Sequence, residues 1–275
     1  MRKLIVNAAI TGMVPMPADN ASLPVAPDQI VAEAVRCHAA GAAIIHVHAR
    51  DASARPAWHP DIYRAIIHGI RDACPGLLIS GSTSGRLWSE FDKRAAVLEC
   101  QPDFGSLTPG SLNFAKSASV NEPEMIVRLA TAMRQRGIMP ELEFFDLGMI
   151  DFVRDHLIPR GIVSTPCYAN ILLGSRGTAA ASPRNLVTLV EALPPQTTWS
   201  VAGIGRHQFP MNALAVTMGG HVRVGLEDNL WMDPDRRDPA TNARLIERVV
   251  RLAQAAGREI ATPEEARAII GLPDP

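Results

Sequence analysis

The sequence predicts a (β/α)8 TIM barrel with a short extra C-terminal helix, and we expect residues 1–275 to form a single domain. Apolar, β-branched segments alternate with segments of helical period along the whole chain, as parallel strands and their helical crossovers do. Eight such units follow one another without a break in composition, and about 250 residues is typical of one barrel. A doubly wound open sheet is the alternative, although it would not require eight regular units.

The individual elements follow from these periods and from local end signals. The predicted strands, short apolar runs of the kind buried on both faces, are Leu4–Ile10, Ala43–His48, Leu77–Ser82, Phe104–Thr108, Met139–Phe144, Ile162–Pro166, Thr198–Ala202 and Val222–Gly225. The predicted helices are Pro27–Ala40, His59–Ala73, Ser89–Glu99, Pro123–Arg136, Leu147–His156, Pro183–Ala192, His207–Met218 and Asn242–Ala256. Gly41 ends the first helix. Thr262 and Glu265 form a capping box around Pro263, which predicts a ninth helix over Pro263–Ile270.

Composition argues against several classes of protein. A formal net charge of −1 and only 5% aromatic residues argue against a nucleic-acid partner. No apolar run reaches the roughly 18 residues of a membrane helix, and the N-terminus leads into strand-like sequence without a signal peptide. The four cysteines are widely spaced without a C-x-x-C pair, so we expect free thiols. We therefore expect a soluble, cytoplasmic protein that binds neither nucleic acid nor membrane.

The second predicted strand ends in His46 and His48, which suggest a metal site. Side chains two residues apart on a strand point to the same face, so both imidazoles project together and can share one divalent cation. The alternative is a pair of hydrogen-bonded core histidines.

Polar residues follow most of the other strands, where a barrel builds its active site. These segments are Ser80–Gly85, Ser106–Asn113, Pro140–Phe144 with Glu141 and Glu143 on one face, and His221–Asn229. The proline-containing loop from Thr11 to Ala26 is long for a mere connection and should lie over the same end. Each segment alone is weak evidence, but together they predict one site at this rim.

The eighth strand carries charge that must be paired. Arg223 lies in a predicted buried strand that ends in Glu227 and Asp228, and buried charges require partners or a metal. One carboxylate can face the metal while the other pairs with arginine. Two histidines and one carboxylate with an open position are typical of catalytic zinc, although they also suit iron or manganese. The alternative is a rim salt bridge without metal.

Two glycine-containing turns are candidate anion contacts. Gly203, Gly205 and Arg206 follow the seventh strand and open a helix, where barrels often bind a phosphate-bearing ligand. Arg176 lies in the loop after the sixth strand and offers a second basic contact. A tight turn and a plain loop are the respective alternatives.

With these residues assembled, the sequence resembles the β-keto acid cleavage enzyme (BKACE) family nearly end to end. The stretches that carry the resemblance are Asn7–Gly12, Ala40–Asp51, Ser106–Phe114, Pro140–Glu143 and Gly219–Asn229. The resemblance implies a zinc-dependent barrel enzyme, usually a homotetramer, with one Zn2+ per subunit and acetyl-CoA as co-substrate. It condenses a 3-keto acid with acetyl-CoA, through the enolate of the zinc-chelated acid and retro-Claisen cleavage, to give acetoacetate and a shortened acyl-CoA.

The resemblance also implies residue roles. His46, His48 and Glu227 are the expected zinc ligands, and Arg223 and Asp228 the expected dyad that forms the enolate. Glu143 is expected as a further active-site carboxylate. Ser82 and the Ser106/Thr108 segment are the expected hydroxyl donors to the keto acid, and we expect Thr83 beside Ser82 to contact the substrate as well. The two glycine-containing turns, with Gly203, Gly205, Arg206 and Arg176, are then our candidate CoA contacts.

One departure from the family bears on the substrate. Some members carry an acidic residue in the loop after the first strand that binds an amino group on the substrate tail, whereas this chain has Met13, Val14 and Met16 there. We therefore expect an apolar or neutral tail, without a terminal ammonium group.

Two other functions remain possible from sequence. A metal-dependent barrel hydrolase would also use H-x-H on a strand, but it commonly adds later histidines, and here only His207 and His221 are available. A non-catalytic metal or CoA-ester binding protein would not require the Arg223–Asp228 dyad.

Overall fold

The computed structural model describes residues 2–114 and 117–273. Eight parallel strands form a closed barrel in which each strand pairs with the next in chain order and the eighth pairs with the first. We number them β1 to β8: Val6–Ala9, Ile44–Val47, Leu78–Gly81, Phe104–Leu107, Met139–Phe144, Cys167–Leu173, Thr197–Gly203 and His221–Val224. The predicted (β/α)8 barrel is confirmed.

Helices follow each barrel strand. We number them α1 to α9: Pro27–Ala39, Pro60–Ala73, Phe91–Ala95, Pro123–Gln135, Leu147–Phe152, Pro183–Ala192, Gln208–Met218, Asn242–Ala255 and Pro263–Ile270. Five of them begin with proline, which suits the first helical turn because its missing N–H would have no partner there. Helix α3 was predicted to run to Glu99, but it changes to a 3-10 turn over Ala96–Cys100.

The sixth strand lies further along the chain than the sequence predicts. We predicted it over Ile162–Pro166, whereas β6 is Cys167–Leu173 and all seven of its residues are buried. The predicted segment holds bends instead, and Pro166 lacks the N–H that a central strand needs. Tyr168 and Asn170 interrupt the apolar pattern of the true strand because they belong to a polar layer inside the barrel.

The two ends of the barrel differ. At the amino end, α9 closes the barrel by packing Ala266 and Ile270 in the cluster that contains Ile5, Ile44 and Phe104. The predicted capping box is present, because the Thr262 hydroxyl accepts from the Glu265 N–H and the Glu265 carboxylate accepts from the Thr262 N–H. Because α9 closes the amino end, a ligand site inside the barrel would have to open at the carboxyl end of the strands.

Two short hairpins lie in the loops at the carboxyl end. Ala49–Arg50 pairs with Pro56–Ala57, and Leu112–Asn113 pairs with Ala118–Ser119. All four cysteines are buried free thiols. Within the part of the chain that the structure describes, no helix is both long and apolar enough to span a membrane.

Candidate active site

A cavity of about 470 Å³ opens at the carboxyl end of the barrel. Several predicted site residues line it: Met13, Val14, His48, Ser82, Thr108, Glu143, Arg223, Glu227 and Asp228. The rest of the wall combines apolar residues, such as Leu112, Phe114, Phe145, Leu172 and Ile204, with four serines and Arg86. The cavity therefore combines a group of charged side chains with a wall that is partly apolar, as small-molecule sites do.

His46, His48 and Glu227 converge beside this cavity. His46 lies on β2 and His48 just beyond its end, and their Nε2 atoms are 3.3 Å apart. The Glu227 carboxylate lies 3.3 Å from the Nε2 of His48 and 3.8 Å from the Nε2 of His46. Strand β8 pairs with β1 and β1 pairs with β2, and this order brings Glu227 to the two histidines.

The geometry of these three residues suits a tetrahedral cation. Ligand atoms about 2.0–2.1 Å from zinc, at the corners of a tetrahedron, lie about 3.3 Å apart. The buried Oε2 of Glu227 has no hydrogen-bond partner among the described residues, an arrangement that is unfavourable unless a cation binds there. His46, Glu141 and Glu143 form a second compact group, but the oxygens of Glu141 already accept four hydrogen bonds.

Glu141 holds His46, a role that the sequence analysis did not assign. One of its oxygens accepts from the Nδ1 of His46 at 2.7 Å and from the Ser80 hydroxyl. The other accepts from the side-chain amides of Asn7 and Asn170, both at 2.6 Å. This carboxylate fixes the Nδ1–H tautomer of His46 and turns Nε2 toward Glu227, as residues behind metal ligands commonly do.

Arg223 pairs with three carboxylates. Its guanidinium donates to Asp228 at 2.9 Å, to Glu143 at 2.9 Å and to Glu227 at 2.7 Å. The arginine side chain is only 1% exposed, and these hydrogen bonds to protein carboxylates occupy its donors. Arg223 therefore positions Asp228 and Glu143 rather than offering a free binding position to an anion.

The pKa values follow from burial and from these contacts. Burial raises the pKa of Asp228, and Arg223 only partly opposes this. Burial likewise raises the pKa of Glu143. Burial alone would raise the pKa of Glu227, but Arg223 and the two histidines hold it well below its usual range. Glu227 is thus held in its ionised form, whereas the carboxylate of Asp228 takes up a proton more readily.

The two histidines shift in opposite directions. Burial would lower the pKa of His46, but the carboxylates of Glu227 and Glu141 raise it to about 9. Burial lowers the pKa of His48, which touches only one carboxylate. Binding of a metal at the Nε2 of His46 would displace the proton held there, because metal ligation requires the deprotonated atom.

The remaining predicted residues lie in different places. Ser106 and Thr83 are buried and bond to each other's loops: the Ser106 hydroxyl accepts from the Thr83 N–H, and the Thr83 hydroxyl donates to the Ser106 carbonyl. They support the rim and do not line the cavity. Arg206 and Arg176 are exposed, next in chain to the rim positions Gly205 and Ser175. A Cβ at Gly203 would lie 2.1 Å from the His207 carbonyl oxygen, so this turn requires glycine.

The histidines that a hydrolase would need lie elsewhere. The Nδ1 of His221 accepts from the Ile5 N–H at the opposite end of the barrel. His207 packs against the turn at Gly174. Among the residues that the structure describes, neither joins a metal-ligand group with His46 and His48.

Arg50 fixes the loop after β1, a role that sequence reasoning missed. The arginine is 1% exposed and donates to the carbonyls of Thr11, Gly12, Pro15 and Ala54 at 2.7–3.2 Å. This loop carries Met13 and Val14 into the cavity wall. Gly12 has φ +67° and a Cβ there would lie 2.8 Å from the Glu227 side chain, so the loop also packs directly on Glu227.

Comparisons with known proteins give the family and the fold of this chain. A family model described as beta-keto acid cleavage enzyme matches residues 3–272. The chain is 41% identical to a 3-keto-5-aminohexanoate cleavage enzyme of Fusobacterium nucleatum, over 99% of both chains. It is 35% identical to a 3-oxoadipate:acetyl-CoA acetyltransferase of Cupriavidus necator, over 98% of this chain and 95% of the relative. The apo structure of ObcA has the same fold, with a TM-score of 0.77 at 21% identity over 91% of this chain and 66% of that one.

Proposed function

This chain belongs to the beta-keto acid cleavage enzyme family and is an acyltransferase, and we propose that it condenses a 3-keto acid with acetyl-CoA to give acetoacetate and a shortened acyl-CoA. The main support is the placement of the His46–His48–Glu227 group against the Arg223–Asp228 pair at one cavity. A ligand held by the first group would present its acidic carbon to the second.

The proposed metal is one Zn2+ per subunit, held by His46, His48 and Glu227. The 3.3 Å spacing of the donor atoms and the unpartnered Glu227 oxygen support this choice. When bound, zinc would act as a Lewis acid on the carboxylate and keto oxygens of the substrate, which makes the protons between them acidic.

In the proposed reaction, Asp228 is the general base. Its carboxylate takes a proton from C2 of the keto acid, and the electron pair left on C2 attacks the acetyl carbonyl carbon of acetyl-CoA. The C–S bond breaks and CoA thiolate leaves. The raised pKa of Asp228 supports this role because a base is most effective when its pKa approaches the operating pH. Arg223 orients the carboxylate through two hydrogen bonds.

The second half of the reaction returns the proton. The thiolate attacks C3 of the condensed acid, the C2–C3 bond breaks, and its electron pair stays on C2, which regains the proton from Asp228. The products are acetoacetate and the CoA ester of the shortened acid. Glu143 accepts from Arg223 and from the Thr108 hydroxyl at 3.0 Å, so in this proposal it keeps the arginine and a substrate-facing hydroxyl in place. Ser82, which lines the same cavity, offers a further donor to the keto acid.

The proposal also assigns the CoA contacts and the substrate tail. Gly203, Gly205, Arg206 and Arg176 would contact CoA, because they lie on the rim beside the cavity residues Ile204 and Ser175. The loop after β1 contributes Met13 and Val14 to the cavity wall and no carboxylate, which disfavours a substrate tail with a terminal ammonium group. By resemblance to the family, we also propose a cytoplasmic homotetramer, which light scattering of the purified protein would test.

A turnover assay tests the proposed function. Zinc-loaded protein would receive acetyl-CoA and a panel of 3-keto acids, including an amino-substituted one, and mass spectrometry would detect acetoacetate and new acyl-CoA species. We expect a matched pair of products with the unsubstituted acids that is lost in both His46→Ala and Asp228→Asn. If no acid gives an acyl-CoA while the protein binds metal tightly, the proposal is wrong.

A further inference from the structure

Arg86 lies in the cavity wall without an anionic partner. The cavity is lined by two arginines, Arg86 and Arg223, and Arg223 is occupied by three carboxylates. Within residues 2–114 and 117–273, the Arg86 guanidinium makes neither an ion pair nor a hydrogen bond, although Glu143 and Glu227 line the same cavity. Its N–H donors are therefore available to an anionic ligand, whose charge would add to the longer-range attraction that Glu227 and Glu143 exert on the guanidinium.

An aromatic platform fixes the position of this guanidinium. Its central carbon lies 3.6 Å from the centroid of the Phe114 ring, a distance at which a cation is attracted to the ring face. Phe114 packs edge-on against Phe145 with centroids 5.7 Å apart. Stacking leaves the N–H edge of a guanidinium available, because its donors lie in the plane of the group.

The loops that carry Arg86 and Phe114 are joined by a buried connection. Arg94 is 3% exposed and donates to the Thr83 carbonyl at 2.9 Å and to the Asn121 side chain at 2.7 Å. Asn121 in turn donates to the Gly110 carbonyl at 2.9 Å. A Cβ at Gly85 would lie 2.6 Å from the Arg94 guanidinium, so the turn before Arg86 packs tightly on this connection. Arg86 therefore stands on a preorganised part of the rim.

We propose that Arg86 binds a carboxylate at the far end of the substrate, so that the preferred substrates are 3-keto dicarboxylic acids. This inference rests on the proposed function, in which the first carboxylate and the keto oxygen are held at the His46–His48–Glu227 group. The apolar part of the cavity wall includes Phe114, on which Arg86 stacks, its chain neighbour Leu87, and Leu112. A short methylene chain would pass along this wall, and the second carboxylate would meet the guanidinium in a charge-assisted contact.

The position of Arg86 favours a substrate carboxylate over a CoA phosphate. Arg86 is half-buried within the cavity wall, whereas Arg176 and Arg206 are exposed on the rim. An unpaired arginine also repels an ammonium group, in agreement with the absence of an acid at Met13 and Val14. The loop after β1 disfavours a cationic tail, and in this proposal Arg86 selects an anionic one.

The test compares two acids of equal carbon number in the wild type, Arg86→Met and Arg86→Lys. 3-Oxoadipate carries a carboxylate where 3-oxohexanoate carries a methyl group. We expect the wild type to prefer 3-oxoadipate about ten- to a hundredfold in kcat/KM, the range for a hydrogen bond to a charged group. In Arg86→Met, kcat/KM for 3-oxoadipate should fall by much more than kcat/KM for 3-oxohexanoate, so that the preference drops to within a few-fold, and the loss should not be confined to the KM for acetyl-CoA. Arg86→Lys should restore part of the preference.

Other outcomes separate this inference from the proposed function. A wild-type preference for 3-oxohexanoate, or an Arg86→Met effect confined to the KM for acetyl-CoA, overturns the inference and leaves the proposed function standing. The second of these results would assign Arg86 to a CoA phosphate. If the wild type turns over no 3-keto acid, the proposed function fails. Calorimetric titration of the zinc-loaded protein with 3-oxoadipate then decides the inference, because binding that Arg86→Met does not weaken contradicts it.

Discussion

The hydrogen bonds of Glu141 allow a sharp test of how His46 is held. In Glu141→Gln, one acceptor oxygen becomes an NH2 group that faces either His46 and Ser80 or Asn7 and Asn170. The first arrangement disturbs less, because His46 can change tautomer and accept at Nδ1 from the new amide. The proton then moves to Nε2, the atom that faces Glu227. A protonated Nε2 cannot bind a metal.

The expected loss follows from this tautomer change. Disrupting the residue behind a metal-ligating histidine typically weakens metal binding 10- to 100-fold, about 1.4–2.7 kcal/mol. Competition of zinc against a fluorescent chelator measures the dissociation constant directly. Glu143→Gln is the matched control, because Glu143 bonds to Arg223 and Thr108 and not to His46. Equal zinc affinity in wild type and Glu141→Gln, or an equal loss in the control, would refute the reasoning.

Three further predictions concern other parts of the chain. Asp228→Asn should lower kcat about 10²- to 10⁴-fold, the range for loss of a general base, while its zinc affinity in chelator competition stays within a few-fold of wild type. A loss of zinc affinity as large as the loss of kcat would contradict the role of Asp228 as base. Arg50→Lys removes the planar donors that bind the carbonyls of the loop after β1. Limited proteolysis should therefore cut residues 11–17 faster in Arg50→Lys than in Arg55→Lys, a control at an exposed position. Equal cleavage rates in the two variants would count against this role of Arg50. Burial lowers the pKa of His221 to about 3, so its contribution to the free energy of unfolding is complete above about pH 6.5. This contribution is lost as the pH falls from 6.5 to 3, at up to about 1.4 kcal/mol per pH unit. Between pH 7 and 5, the free energy of urea unfolding should therefore fall less in His221→Gln than in wild type, and an identical fall in both would contradict this.

The fold and the pair of histidines were accessible from sequence for a simple reason. Alternating apolar and helical periods are set by burial along each element, and in a barrel the carboxyl ends of the strands must meet at one rim. The adjacency of β8, β1 and β2 then brings Glu227 to His46 and His48. The resemblance to the β-keto acid cleavage enzyme family is confirmed by the match over residues 3–272.

Other features of the site depend on strand register and on the paths of the loops, and the hydrophobic periodicity of the sequence does not predict either of these. Strand β6 was misplaced because Tyr168 and Asn170 are polar on their interior face, and only the pairing with β5 and β7 identifies it. Glu141 and Glu143 were expected on one face, but the sequence did not show that Glu141 reaches back to His46. Arg86 follows a turn of small residues, and nothing local indicates that its side chain stacks on Phe114, which lies in another loop.

The most direct test of the proposed reaction follows the acetyl group. Zinc-loaded protein would receive a 3-keto acid and acetyl-CoA labelled with carbon-13 in both acetyl carbons, and mass spectrometry would locate the label. The proposed mechanism predicts that both labelled carbons appear in acetoacetate, and that the new acyl-CoA carries none. Label in the new acyl-CoA, or in free acetate without acetoacetate, would contradict the proposed condensation and cleavage.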